Sequence, residues 1–385
     1  MIAYLLLFGA WGTVQPDEPL PTPGELIRVA VPQLTDMREA GGEWPYEGVY
    51  RVAGEIPIGY RVGGTAIVGT TLLLAGSRDE RATADAIQQA LGFVLRGLDH
   101  PLMATSTENA YDVRVWGHAF ALEFLCRVRA AGCASERLHS VNEWIGRLVE
   151  ILIAEQIADG GWNYANHRQQ ATFVTAPVTQ VLLLARAQGE KVPDEILARA
   201  RRALEKSRTN SGAFVYSGFA RQDDHDAGHA ASGDPRAKVP GAIARSPACE
   251  ATLMLLGGGS AEAVQAALDA FFEHWDELEK RRRQPGTHAG AYGIAPYYFY
   301  YGHRYAAQAI ELLPASARPH ERQRLLEFIL RTRDGDGTWN DRVFPRSRNF
   351  GTAMIVLALL GERTPLPPRV VVQAQEPETQ PASAP

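Results

Sequence analysis

Cysteine and basic clusters are scarce in this chain, and each scarcity removes a class of architecture or partner. Cys126, Cys133 and Cys249 are an odd set, so at least one thiol stays unpaired in a monomer. On a continuous helix Cys126 and Cys133 would lie about 10 Å apart, beyond disulfide reach, unless Gly132 ends the helix between them. Lys and Arg number 39 against 44 Asp and Glu, for a net charge of −5, and no basic block is present to neutralise a phosphate backbone. Nucleic acid is therefore not an expected partner. No segment shows the alternation of a strand. No Lys or Arg precedes the apolar start, residues 1–14, yet its length and the small-x-small site Ala10-Trp11-Gly12 read as a signal peptide. It is too short to span a bilayer. Export to the periplasm or the outside is expected, with no stable membrane span left after processing.

What the chain does have is repetition. Six times a short lead-in opens an apolar helix: Gly64-Thr65-Ala66, Gly117-His118-Ala119, Val174-Thr175-Ala176, Ala248-Cys249-Glu250, Gly302-His303-Arg304 and Gly351-Thr352-Ala353. Five glycine-aromatic turns precede five of these, ending at Trp44, Trp162, Phe214, Tyr292 and Trp339. The lead-ins recur roughly every fifty to seventy-five residues, room for two helices and two loops, which is the period of a repeat architecture. A length of 385 residues with 45% hydrophobic content can bury a large core, and the repeat argues for one domain.

Inner helices are expected near 62–76, 111–131, 170–188, 243–258, 295–313 and 347–361, and outer helices near 24–40, 79–98, 136–157, 193–207, 260–282 and 318–333. Inner segments such as 174–184 are apolar all round, and outer ones such as 195–206 carry charge on one face, the mark of a buried layer inside a solvent-facing one. Six buried helices ringed by six amphipathic ones close into an all-α, (α/α)6 toroid over residues 15–361. The loop 218–236 is long enough to be functional or disordered. The proline-rich segment 362–385 reads as a disordered tail.

Gln156-Ile-Ala-Asp-Gly160-Gly-Trp162 resembles the Gln-x-x-x-Gly-x-Trp repeat of squalene-hopene cyclases and protein prenyltransferases, with a looser copy at Arg333 to Trp339. Glycine lets the backbone leave the outer helix, and the ring fills the wedge between hairpins. The resemblance implies a single-toroid relative of the terpenoid cyclases and prenyltransferases, binding an isoprenoid or other small ligand in its central cavity. The Asp-x-Asp-Asp acid of class II cyclases has no counterpart here. A prenyltransferase-like zinc would fall on Cys249 and His303, with Glu250 or His118 as a third ligand, although Pro247 stands where that family has aspartate.

The loops leading into the inner helices share one end of the ring, where helix dipoles favour anions. Expected there as catalytic groups are His118, His303, Tyr301, Glu250 and Asp112, with Arg114, Trp116, Arg245, Tyr300, Tyr305 and Asn349 as ligand-binding groups. Phenol beside imidazole is a usable acid/base pair, and arginine would hold a carboxylate or phosphate. Three readings stay open: an isoprenoid-related binder, a polysaccharide lyase or glycosidase using Tyr, His and Arg, and a non-catalytic scaffold whose rim or tail contacts a partner; the expected ligand is a small molecule or a carbohydrate.

Overall fold

The computed structural model describes residues 20–76, 80–105, 113–165, 168–220 and 234–372. Asp112, the apolar start and most of the loop 218–236 lie outside them. Fourteen α-helices occur among the described residues: α1 Pro23–Asp36, α2 Ile58–Ala75, α3 Arg81–Leu98, α4 Arg114–Ala130, α5 Leu138–Ala154, α6 Thr172–Ala187, α7 Asp194–Ser207, α8 Val239–Ala242, α9 Ser246–Leu255, α10 Ala261–Glu273, α11 Trp275–Glu279, α12 Tyr298–Ile310, α13 Arg318–Arg331 and α14 Arg348–Leu360. Among those residues, β-pairing is limited to isolated bridges such as Ala171 with Ser217. The outer segment expected at 260–282 is two helices, broken at His274.

The inner helices α2, α4, α6, α9, α12 and α14 each pack on the next, and α14 returns to α2, so the ring closes. Outer helices α1, α3, α5, α7, α10 and α13 pack against them from outside. Helix α2 is long and apolar enough to cross a membrane, but 78% of it is buried in this ring. Its Gly63 is required by close packing, since a Cβ there would meet the Trp116 ring at 2.3 Å.

The glycine-tryptophan turns are built alike. Trp44, Trp162 and Trp339 are wholly buried. Each indole N–H donates to the carbonyl ten residues back, near the end of the outer helix: Leu34 at 2.7 Å, Leu152 at 2.6 Å and Ile329 at 3.0 Å. Each tryptophan backbone N–H donates to the lead-in threonine of the following inner helix, Thr65, Thr175 or Thr352, at 2.9 to 3.0 Å. Gly160 and Gly161, with φ of 86° and 78°, supply the left-handed backbone that starts the second turn. Trp162→Phe keeps the ring but orphans the Leu152 carbonyl, a loss of about 1–3 kcal/mol. Urea unfolding of the variant beside wild type measures it, and an unchanged midpoint would remove the clamp.

The axis of the ring is filled. On α12, the Tyr301 and Tyr305 rings lie 4.4 Å apart with their planes tilted by 43°, and Tyr301 reaches α6 to lie 4.7 Å from the Phe173 ring. Below them Arg304 of α12 donates to both oxygens of Glu123 on α4, at 2.7 and 2.6 Å. These two helices stand opposite each other in the ring, so the ion pair spans its centre.

The expected tail is partly packed. Residues 364–372 run across the far end of the ring, where the Pro365 carbonyl accepts from Arg127 at 3.0 Å, Val370 N–H donates to Leu255 at 2.8 Å and the Val372 carbonyl accepts from Arg201 at 3.0 Å.

Candidate functional site at the ring mouth

Because each turn is clamped at its aromatic residue, the residue two positions further on arrives at the same place in successive repeats. In four repeats that residue is Tyr46, Tyr164, Tyr216 or Asp341, and all four stand at the mouth formed by the inner-helix N-termini. Tyr297, just ahead of α12, completes a polar belt. Its hydroxyl meets that of Tyr216 at 2.9 Å, and the Tyr164 phenol joins the same network. Tyr164, Tyr216 and Tyr297 are half-buried, so this part of the belt keeps some contact with solvent. Tyr298 and the Gly293 carbonyl share His288 Nδ1, at 3.3 and 3.0 Å. Burial pushes all these phenols above their usual range and pulls His288 down, so every one is neutral near pH 7.

The other half of the mouth is aromatic with one carboxyl. Tyr46 lies 4.1 Å from Phe350, 5.6 Å from Tyr60 and 6.1 Å from Trp116. Its hydroxyl donates to Asp341 Oδ2 at 3.2 Å and accepts from Arg342 Nε at 3.1 Å. The Arg342 guanidinium sits 5.6 Å from both the Tyr46 and Tyr297 rings, linking the two halves. Asp341 Oδ1 and Arg342 Nη1 are buried without a partner. Burial raises the Asp341 carboxyl to about 7, against the opposing pull of Arg342 and the Tyr46 hydrogen bond. A near-neutral carboxyl hydrogen-bonded to a phenol, beside a guanidinium with a free N–H, can move a proton and hold an anion.

Several expected site residues do other work. Trp116 packs among Tyr46, Tyr60 and Phe120, and Tyr301 packs between Phe173 and Tyr305. His303 turns to the outer layer, where its Nε2 accepts from Trp275 at 2.9 Å and its Nδ1 donates to the Phe299 carbonyl at 2.8 Å. Both ring nitrogens are spent, which leaves no lone pair for a metal. His118 is buried with its Nδ1 unpartnered, and burial followed by Arg114 lowers it to about 3. Glu250 pairs with Arg208 beyond α7, and Arg114 with Glu155 beyond α5, so both face outward. Tyr300 packs toward α14, and Asn349 donates to the Pro45 carbonyl at 3.1 Å. Arg245 is spent on the carbonyls of Phe214 and Gly241, each at 2.8 Å, and of Arg236. Burial pushes the Cys249 thiol far up, away from the thiolate a metal needs. Among the described residues no group of three His, Cys, Asp or Glu could hold a metal ion, so the donor set does not fit the zinc implied at Cys249 and His303.

No protein-family model matches the chain, and no curated protein matches it. Solved structures do. An inactive variant of the α-1,6-mannanase GH76A of Salegentibacter sp. HEL1_6, in complex with α-1,6-mannotetrose, aligns with a TM-score of 0.57 at 12% identity, over 88% of this chain and 99% of that one. A variant of the type II terpene cyclase MstE from Scytonema, in complex with its product merosterolic acid A, aligns at 0.50 and 17% identity, over 89% and 97%. The Lin0763 protein from Listeria innocua aligns at 0.54 and 13% identity, over 89% and 97%. The fold is an α/α toroid. Within that toroid the mouth carries the tyrosine belt, and the axis carries the ion pair.

Proposed function

We propose that this toroid binds an acidic saccharide at its mouth. The observation that carries the reading is the half-buried belt of Tyr164, Tyr216 and Tyr297, whose faces and hydroxyls suit the two sides of a sugar ring. The buried positive charge of Arg342, 5.6 Å from the Tyr297 ring, favours an acidic sugar through the field it sets beneath the belt. An isoprenoid chain threaded down the axis would have to displace the Glu123–Arg304 pair, so a shallow polar ligand fits better. The mannanase with the same fold holds an oligosaccharide in its complex, which agrees with this choice. Proton transfer through Tyr46 and Asp341 is the chemistry the mouth would serve, and this makes lyase or glycosidase action on the bound saccharide the matching enzyme reading. The apolar start fits an exported protein meeting such ligands outside the cell.

Titration calorimetry with neutral and uronate-containing oligosaccharides, with product analysis of the same mixtures, tests the proposal. Acidic oligosaccharides are expected to bind, and Tyr297→Phe to weaken them roughly tenfold by removing one hydroxyl from the network. Binding of isoprenoids with no response to any oligosaccharide would overturn it.

A further inference from the structure

His288 stands at the margin of the tyrosine belt, and the proton chemistry of Tyr46 and Asp341 leaves it idle. It lies in the loop between α11 and α12, which the Arg281 guanidinium closes on itself by donating to the carbonyls of Ile294, Pro285 and Thr287 at 3.1, 3.1 and 3.3 Å. Gly290 and Gly293 supply the left-handed backbone of the turn, with φ of 78° and 56°. Gly293 has no room for a side chain either, since a Cβ there would meet Arg236 Cγ at 2.8 Å. The pinned loop fixes the Gly293 carbonyl, and that carbonyl decides the state of the histidine.

A carbonyl oxygen only accepts, so its 3.0 Å contact puts the ring proton on His288 Nδ1. The Nε2 lone pair is left open, and among the described residues nothing bonds it. The imidazole is held edge to face against the belt, 5.0 Å from the Tyr216 ring, 5.8 Å from Tyr298 and 6.1 Å from Tyr297. Tyr298 is buried, whereas His288 is exposed. Arg236 and Arg245 bring positive charge to the same side, 4.6 and 6.0 Å from the Tyr216 ring, and Asp234 pairs with Arg236. An imidazole of fixed tautomer with an open nitrogen, beside sugar-sized aromatic faces, has the form of a general base.

We infer that His288 is the catalytic base of the mouth, acting through Nε2 on a bound uronate. The inference rests on the acidic-saccharide reading and adds the reaction to it. Nε2 takes the proton from the ring carbon that bears the carboxylate. That C–H electron pair becomes a carbon–carbon double bond, the C–O bond at the next ring carbon breaks, and the departing oxygen takes a proton from a belt hydroxyl. His288 then releases its proton to water and the phenol regains one. The products are an unsaturated uronate and a shortened saccharide.

The test uses the full chain with polyuronate oligosaccharides, reading binding by calorimetry and double-bond formation by ultraviolet absorbance in the same samples. Elimination is expected in wild type. His288→Asn keeps an N–H for the Gly293 carbonyl but has no Nε2, so kcat should fall about 10²–10⁴-fold while oligosaccharide binding and the unfolding midpoint are kept. Added imidazole should restore part of the rate. Burial, aided by Arg236 and Arg245 against the Gly293 carbonyl and Asp234, lowers the imidazole from 6.5, and the facing phenols of Tyr216, Tyr297 and Tyr298 are raised out of this range. The acid limb of the wild-type rate should therefore lie below pH 6.5, clear of the Asp341 carboxyl at about 7. Binding without double-bond formation, or an undiminished rate in His288→Asn, would overturn the role of His288 and leave the saccharide reading standing. Absence of binding would overturn both.

Discussion

Replacing Glu123 with alanine is expected to destabilise the protein by about 3–5 kcal/mol, because it leaves two guanidiniums facing each other in the axis. Glu123 is 6% exposed and Arg127 8%. Burial alone would raise the Glu123 carboxyl, but Arg304 and Arg127 outweigh it and hold the group below its usual range, so it is charged at neutral pH. Arg304 keeps its contacts with the Phe120 and Tyr305 rings, both 5.4 Å away, and these soften the loss without replacing a counterion. Chemical unfolding followed by tryptophan fluorescence measures the cost. The triple change Glu123→Leu, Arg127→Met and Arg304→Leu should recover most of it, since an apolar filling of similar volume substitutes well for a buried ion group. A triple variant as weak as the single one would show that the pair fixes the ring's geometry instead of only neutralising itself.

The ring was legible because its cause is periodic. Glycine, tryptophan and a small or polar lead-in recur, and each recurrence is one clamp, so the repeat could be read before any contact was seen. The same repeat explains why His118 and His303 misled. They occupy the column that holds Thr65, Thr175 and Thr352 elsewhere, and those threonines bond the outer turn. A residue in that column faces the outer layer whatever its chemistry, and His303 accordingly bonds Trp275. The informative column was two residues after the turn aromatic, Tyr46, Tyr164, Tyr216 and Asp341. It was present in the sequence, but only the clamp geometry shows that it meets at one mouth. Glu123 and Arg304 are far apart in the chain, and no local pattern joins them, because their pairing depends on the ring closing with α4 opposite α12.

Above pH 7, Asp341→Asn should be more stable than wild type by up to about 4 kcal/mol, and the advantage should vanish in acid. In the unfolded chain the Asp341 carboxyl titrates at its ordinary 3.8, and in the folded protein burial raises it to about 7. Between these values the native state holds a proton that the unfolded state has released, so stability falls as pH rises through that window, by ~1.36 kcal/mol per pH unit, and levels off above it. The groups facing the carboxyl are Arg342, Tyr46, Tyr300 and Arg282, and Tyr46, Tyr300 and Arg342 are all raised above their usual ranges, outside this window. Asparagine keeps an oxygen for the Tyr46 hydroxyl and places an amide where Oδ1 has no partner, removing the charge without emptying the site. The histidines act in the opposite sense. Burial lowers His118 to about 3 and His303 to about 4, so the unfolded state binds their protons first below pH 6.5 and acid destabilises the fold. Two histidines outweigh one aspartate, and wild-type stability should therefore peak near pH 6.5, fall on the acid side in both proteins, and fall on the alkaline side in wild type alone. Denaturant melts at pH 5, 6.5 and 8 measure all three limbs. If both proteins decline equally between pH 6.5 and 8, Asp341 is already ionised at neutral pH and cannot be the proton-transfer group of the mouth.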